Sequence, residues 1–153
     1  TESGKIGTLG HGFTYSGHPV ASAVALKTIE LYQERNILDH VRKVSPRFQK
    51  RFAKLGEHPM VGDVSSVGLI GAIELVSDKK TKGTFDPAKA VAPTVSKHIE
   101  SEGLITRPLM GDRIALCPPL IISENEIDEM FDRFERGLQS GYEWAKREKL
   151  VAA

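Results

Sequence analysis

The sequence predicts a small α+β layer domain, and three features of the 153-residue chain carry that prediction. From Ile37 to Leu55 the apolar residues Ile37, Leu38, Val41, Val44, Phe48, Phe52 and Leu55 recur at steps of three and four, which is helical spacing. From Val64 to Val76 the spacing changes to two, which is the spacing of a strand. Near the C-terminus Ser123 and Glu126 form a capping box ahead of a third periodic stretch, with Ile122 and Ile127 placed for a hydrophobic staple. Helices that alternate with short strands must bury a stripe or a face against one another, and that gives a layered domain.

In chain order, residues 1–17 carry no periodicity and are expected to form an ordered loop. A helix is expected from Pro19 to about Tyr32, with Val20, Val24 and Leu31 on one stripe and burial on most sides. Asn36 suits the stop, because asparagine tolerates the left-handed conformation found after helices. The second helix should be kinked or divided at Pro46, which lacks an amide hydrogen, and closed by Gly56. Val64–Val76 is expected as one strand covered on both sides, since Leu69, Gly71, Ile73 and Leu75 alternate with the largely apolar Ile70, Ala72, Glu74 and Val76. Ser77–Phe85 is expected to be a charged loop whose lysines are solvated. Asp86-Pro87 is an N-cap with a first-turn proline, predicted to open a helix through Val91, Val95 and Ile99 that Gly103 closes. Two short strands are predicted around Leu104–Arg107 and Arg113–Leu116, joined at Gly111-Asp112. The last helix carries Ile127, Met130, Phe131, Phe134, Leu138 and Tyr142 on one stripe, and the tail from Lys146 should fray.

Composition narrows the function. Apolar residues make up 40% and charged residues 27%, as in ordinary globular domains. The 21 basic residues are balanced by 20 acidic ones, and the basic residues are scattered, so nucleic acid is not an expected partner. No apolar run is as long as a membrane span. The single cysteine, Cys117, forms no internal disulfide, which fits a cytoplasmic setting; between Leu116 and Pro118 it is expected to be buried.

The stretch His11–Val20 holds the chemistry. Gly10, Gly12 and Gly17 allow sharp turns and close approach, Thr14, Tyr15 and Ser16 supply three hydroxyls, and Pro19 suits a first helical turn. A hydroxyl-rich loop entering a helix N-terminus can receive a phosphate or carboxylate, and it can equally be an ordinary capped loop. His11 and His18 match no familiar metal spacing, so no metal is expected. Ser16 and His18 lack the elbow of a hydrolase nucleophile.

The run HGFTYSGHPVA at residues 11–21 resembles the motif of class III pyridoxal-phosphate aminotransferases, in particular the omega-aminotransferases that use pyruvate as amino acceptor. The similarity continues through GLIGAIELV and GLITRPLMGDRIALCPPLIIS into the last helix. The resemblance implies an α/β fold-type I transferase. Residues 1–35 would end its large cofactor-binding domain, and 36–153 would form its C-terminal small domain, a three-stranded antiparallel sheet with helices. It also implies pyridoxal 5'-phosphate as cofactor, a cytoplasmic homodimer with shared active sites, and amines, amino acids and 2-oxo acids as substrates. Thr14 would hydrogen-bond the phosphate held by the other subunit, with the backbone at Gly12 and Phe13 nearby. Arg107 would bind the substrate carboxylate and swing away from apolar amines. The family's lysine that holds the cofactor covalently lies upstream of this motif, and Lys5 is too close to be it. The chain therefore resembles the C-terminal part of a longer enzyme and contains no catalytic residue. Ornithine and 4-aminobutyrate aminotransferases carry an arginine three positions before the Pro-Pro, where this chain has Ala115. That departure favours the pyruvate-linked group. An arginine placed at 115 is expected to be no substitute for Arg107; Arg113 is a possible substitute for the missing arginine but is expected to be structural or solvent-facing. An aminomutase or decarboxylase of the same family, or a non-catalytic α+β interaction module, are the alternatives.

Overall fold

The computed structural model describes residues 4, 5, 7 and 12–151. Two compact units follow one another along the chain, Thr1–Asn36 and Ile37–Ala153.

In the first unit, helix α1 spans Pro19–Glu34. Asn36 takes a φ of 51°, the left-handed conformation that ends the helix. α1 is exposed along its length: Val20 and Val24 are 66% and 61% accessible, and none of its residues is buried. The expectation of burial on most sides is therefore corrected. Among the described residues of its own unit, α1 has no second element of comparable length to pack on.

The second unit begins with α2 (Ile37–Lys54), followed by a single 3-10 turn at Leu55–Glu57. α2 is not divided at Pro46 but runs through it as one 18-residue helix. Next come β1 (Val61–Val67) and β2 (Ile70–Leu75), an antiparallel hairpin. The apolar run read as one strand thus folds back at Gly68-Leu69, where Gly68 has a φ of 56°. Asp86 does cap a turn, accepting the Ala88 N–H at 3.0 Å, but this is only the 3-10 turn Pro87–Lys89. Ala90, at a φ of 47°, separates that turn from α3 (Val91–Ser101). β3 is Arg107–Leu109, later than expected, and β4 is Arg113–Leu116. α4 (Glu124–Arg147) starts at the capping box Ser123–Glu126 as predicted. The tail does not fray through Val151: Leu150 N–H bonds the Ala145 carbonyl at 2.9 Å, and Leu150 and Val151 pack against the core.

The strands form one antiparallel sheet in the order β1-β2-β4-β3. It has four strands where three were expected, because the early apolar run contributes two. The α+β antiparallel architecture itself is as predicted. α2, α3 and α4 supply the core against one face, where Gly71, Ile73, Leu75, Ile114 and Leu116 are buried. A Cβ on Gly71 would stand 2.7 Å from the Phe52 ring, so this strand position admits no side chain. Phe48, Phe52 and Phe131 fill the centre, their ring centroids 5.3–5.9 Å apart in stacked and edge-on pairs. α3 lies against α4 at Gly137 and Gly141. Over the opposite sheet face, Ile70, Arg113 and Arg107 are exposed and Ala72, Glu74 and Ala115 half-buried, so β2 is covered on one side only. Cys117, expected to be buried, is exposed.

Candidate functional site

The hydroxyl-rich loop of the first unit is a turn at Thr14–Gly17 leading directly into α1. Ser16 N–H donates to the Phe13 carbonyl at 2.9 Å, and His18 N–H to the Tyr15 carbonyl at 3.3 Å. Gly17, at a φ of 74°, makes the sharp exit. His18 is the N-cap of α1: its Nδ1 accepts the Ala21 N–H at 3.4 Å and its carbonyl the Ser22 N–H at 2.9 Å. Pro19 has no amide hydrogen to satisfy. Of the first-turn donors only the Val20 N–H is left without an acceptor among the described residues.

This loop fits a phosphate in some respects and not in others. The Thr14 side chain is exposed and makes no hydrogen bond among the described residues. Among the described residues no atom lies within 4 Å of where a Cβ on Gly12 would stand, so they leave the backbone there open to a ligand. The Phe13 amide, by contrast, donates to Ser16 Oγ at 3.1 Å and is already engaged. Thr14 leaves its hydroxyl and Gly12 its backbone accessible to a phosphate, while the Phe13 amide and carbonyl are both bonded to Ser16. His18 is spent on capping. Gly10 and His11 lie outside the described residues.

In the second unit Arg107 opens edge strand β3, where Pro108 removes no ladder bond that a central strand would need. The Arg107 side chain is exposed and makes no hydrogen bond or ion pair among the described residues. Arg113 is different: its Nε donates to Glu74 Oε2 at 3.0 Å on the neighbouring strand, so its charge is matched. The register pairs Arg107 with Ala115, Ala115 with Ala72, and Ala72 with Ser65. Ala115 therefore stands directly beside Arg107 on the same sheet face. Strand alternation alone could have put Ala72 and Ser65 on the outer face. Their alignment with Arg107 depends on turn lengths that the residue pattern does not reveal.

Asp112 fixes the turn between β3 and β4. Its carboxylate accepts the Ala92 N–H at 3.1 Å at the start of α3, and its carbonyl accepts the Leu75 N–H at 2.8 Å. The hairpin that carries Arg107 is thereby tied to a helix and to the sheet.

Residues 3–138 match the family model described as aminotransferase class-III. A gamma aminobutyrate transaminase 3 of Solanum lycopersicum, chloroplastic, is 37% identical over 139 residues, which cover 91% of this chain and 26% of that protein. The omega-transferase of Vibrio fluvialis JS17 superposes with a TM-score of 0.83 at 37% identity, over 95% of this chain and 34% of that one. A transaminase solved with L-ala superposes with a TM-score of 0.80 at 43% identity, covering 94% of this chain and 34% of that one. The chain thus spans about a quarter of the curated relative and about a third of the solved ones. It belongs to the class-III aminotransferase family.

Proposed function

We propose that this chain is the C-terminal part of a pyridoxal-phosphate aminotransferase that moves the amino group of an omega-amino acid or amine to pyruvate. In this reading residues 1–35 end the cofactor-binding domain, residues 36–153 form the small domain, and the enzyme works as a cytoplasmic homodimer. The observation that carries the reading is Arg107, an exposed arginine on the outer sheet face with no partner among the described residues, beside an Ala115 that offers no competing charge. The cofactor, when bound, draws off the electrons of the bond broken at the amine-bearing carbon.

The Thr14 hydroxyl is free to donate to a phosphate oxygen of the cofactor held by the other subunit, and open backbone at Gly12 lets that phosphate come close. The Arg107 guanidinium can grip a carboxylate with two parallel N–H donors, a geometry an ammonium cannot reproduce. A purely apolar amine gains nothing from that contact, and the exposed side chain has room to turn aside. Arg113 stays with Glu74 and takes no part. Two likenesses support the choice of substrates. The curated relative is named for gamma-aminobutyrate, an omega-amino acid, and one solved neighbour was obtained with L-alanine, the amine that pyruvate becomes.

The test is Arg107→Ala in the full-length holoenzyme, with each half-reaction measured separately. Loss of a bidentate contact of about 2–4 kcal/mol should lower kcat/KM for pyruvate by roughly thirty- to several-hundredfold. Conversion by an amine lacking a carboxylate should change by less than about tenfold. Equal losses in both half-reactions would make Arg107 a structural residue and overturn the assignment.

A further inference from the structure

The second unit holds a groove of about 750 Å3, a size that suits a small organic ligand, and Arg107 is not among its lining residues. Three segments enclose it: residues 84–90, the start of α3 and the β3–β4 hairpin. Pro87, Pro93 and Pro108 line it, one from each segment, and a proline ring offers carbon and no N–H. Phe85, 7% exposed, gives it a buried aromatic wall, while Met110, at the end of the hairpin, is 94% exposed. The Asp112 carboxylate already fastens the hairpin to the Ala92 amide, so these walls are set before a ligand arrives.

Two carboxylates meet at one end of the groove. Glu74 and Asp112 both line it, and the Leu75 amide next to Glu74 donates to the Asp112 carbonyl at 2.8 Å. Each carboxylate has engaged one oxygen, Glu74 Oε2 with Arg113 and Asp112 Oδ1 with the Ala92 amide. Glu74 Oε1 and Asp112 Oδ2 have no partner among the described residues. Arg113 balances the charge of Glu74, whereas Asp112 has no ion pair among the described residues. No lysine, arginine or histidine is among the described residues that line the groove.

We infer that this groove binds an organic ammonium with an apolar body, of the arylalkylamine class. The prolines and Phe85 receive the body, and the flexible thioether of Met110 adapts to its shape. The free carboxylate oxygens receive the charge, with Asp112 the main attraction. A neutral molecule of the same shape gains the apolar contacts alone. An anion meets two carboxylates and no facing cation. Neither the cofactor nor Arg107 takes part, so the inference stands or falls apart from the function proposed above.

The experiment uses the full-length holoenzyme and benzyltrimethylammonium, which has no transferable amino group. A ligand in the groove covers Met110, so the readout is the rate at which hydrogen peroxide converts Met110 to its sulfoxide. Peptide mass mapping follows that rate against the buried Met60 and Met130. At saturation benzyltrimethylammonium should slow Met110 oxidation by at least about threefold, while benzyl alcohol and phenylacetate at equal concentration should slow it by less than half as much. Asp112→Asn keeps an acceptor and a residue that tolerates the left-handed φ of 51°, and should weaken the protection constant by at least about threefold. Pro93→Lys places a cation on the exposed wall and should abolish protection; it decides the matter if the Asp112 variant does not fold. Equal protection by all three compounds, no protection by any, or protection that survives Pro93→Lys would overturn the assignment. A Met110 that resists peroxide without any ligand would show the groove closed in the holoenzyme, with the same consequence.

Discussion

Gly137→Ala should unfold the second unit far more readily than its chemistry suggests. A Cβ at 137 would stand 2.4 Å from the Ile99 Cα and 2.8 Å from the Ile99 backbone nitrogen. Carbon atoms settle about 3.5–4.0 Å apart, so α3 and α4 would have to separate by more than about 1 Å. The obstacle is backbone, which cannot rotate out of the way. A gap of that size forfeits roughly a quarter to a half of each contact along the interface. Over-packing of this kind costs about 3 kcal/mol at the upper end of its range. Alanine gains back about 0.5–1 kcal/mol as a better helix former. The net loss is about 2 kcal/mol, or roughly thirtyfold in the folding equilibrium. Gly141→Ala is the milder comparison: its Cβ would meet the Val95 methyl groups at 3.0 Å and the Val95 Cα only at 3.3 Å. Urea denaturation read from Trp144, the chain's single tryptophan, measures both. A Gly137→Ala midpoint within error of the parent, or an equal loss from Gly141→Ala, would refute the backbone-clash argument.

Thr14→Ala in the full-length enzyme should weaken cofactor retention on dialysis by roughly ten- to hundredfold, the worth of a hydrogen bond to a charged phosphate at about 1.5–3 kcal/mol; unchanged retention counts against a phosphate role. Ser123→Ala should cost about 1 kcal/mol by removing the cap of α4, seen as a lower denaturation midpoint. His58 should make stability depend on pH. Burial holds its imidazole below the usual histidine range, against the opposing pull of its hydrogen bond to Gln139, with Lys79 adding to the lowering. Since the unfolded chain binds that proton more readily, stability is full above pH about 6.5 and falls as pH drops from there through the folded value. His58→Gln should flatten that slope in denaturation series run across the range, and an unchanged slope would assign it to other groups.

Where local chemistry decides the structure, the residues announce it. The capping box at Ser123–Glu126, the left-handed Asn36 and the apolar stripe of α4 are all set within a few positions of themselves, and each appears as read. Where a partner decides, they do not. Val64–Val76 is β-rich on both sides of Gly68, so β propensity alone does not mark that glycine as the point of reversal. Asp86-Pro87 has every mark of a helix start, yet the helix waits until Val91, because Ala90 breaks the turn and the Asp112 carboxylate, twenty residues away, supplies an acceptor for Ala92. Pro46 removes one hydrogen bond from α2, and the burial of Val44, Phe48 and Phe52 on either side holds the helix together across it. Lys79, read as solvated, is exposed and also donates to the carbonyls of Gly56 and His58, contacts 23 and 21 residues away that its own surroundings do not announce. In the candidate site the residues Thr14 and Arg107 could be named from the motif. That the Phe13 amide is already taken by Ser16, and that Ala115 faces Arg107, could not.

The placement of Arg107 poses a mechanical problem that Asp112 answers. An edge strand of three residues, one of them proline, has few ladder bonds with which to hold the side chain proposed to bind a carboxylate. A cation on such a strand would drift with the hairpin. Asp112 sits at the tip of that hairpin with a φ of 51°, and it uses both of its acceptors away from its own strands. The carbonyl takes the Leu75 amide and the carboxylate takes the Ala92 amide. The first contact extends the ladder by which β4 is anchored to β2. The second fastens the tip to the N-terminus of α3, where the helix dipole favours a negative charge. α3 is in turn held against α4 at Gly137, so the hairpin inherits the rigidity of the helix layer. The backbone of Arg107 is thereby fixed while its side chain stays unencumbered. The role proposed for the Arg107 guanidinium, to grip a carboxylate and turn aside from an apolar amine, needs both.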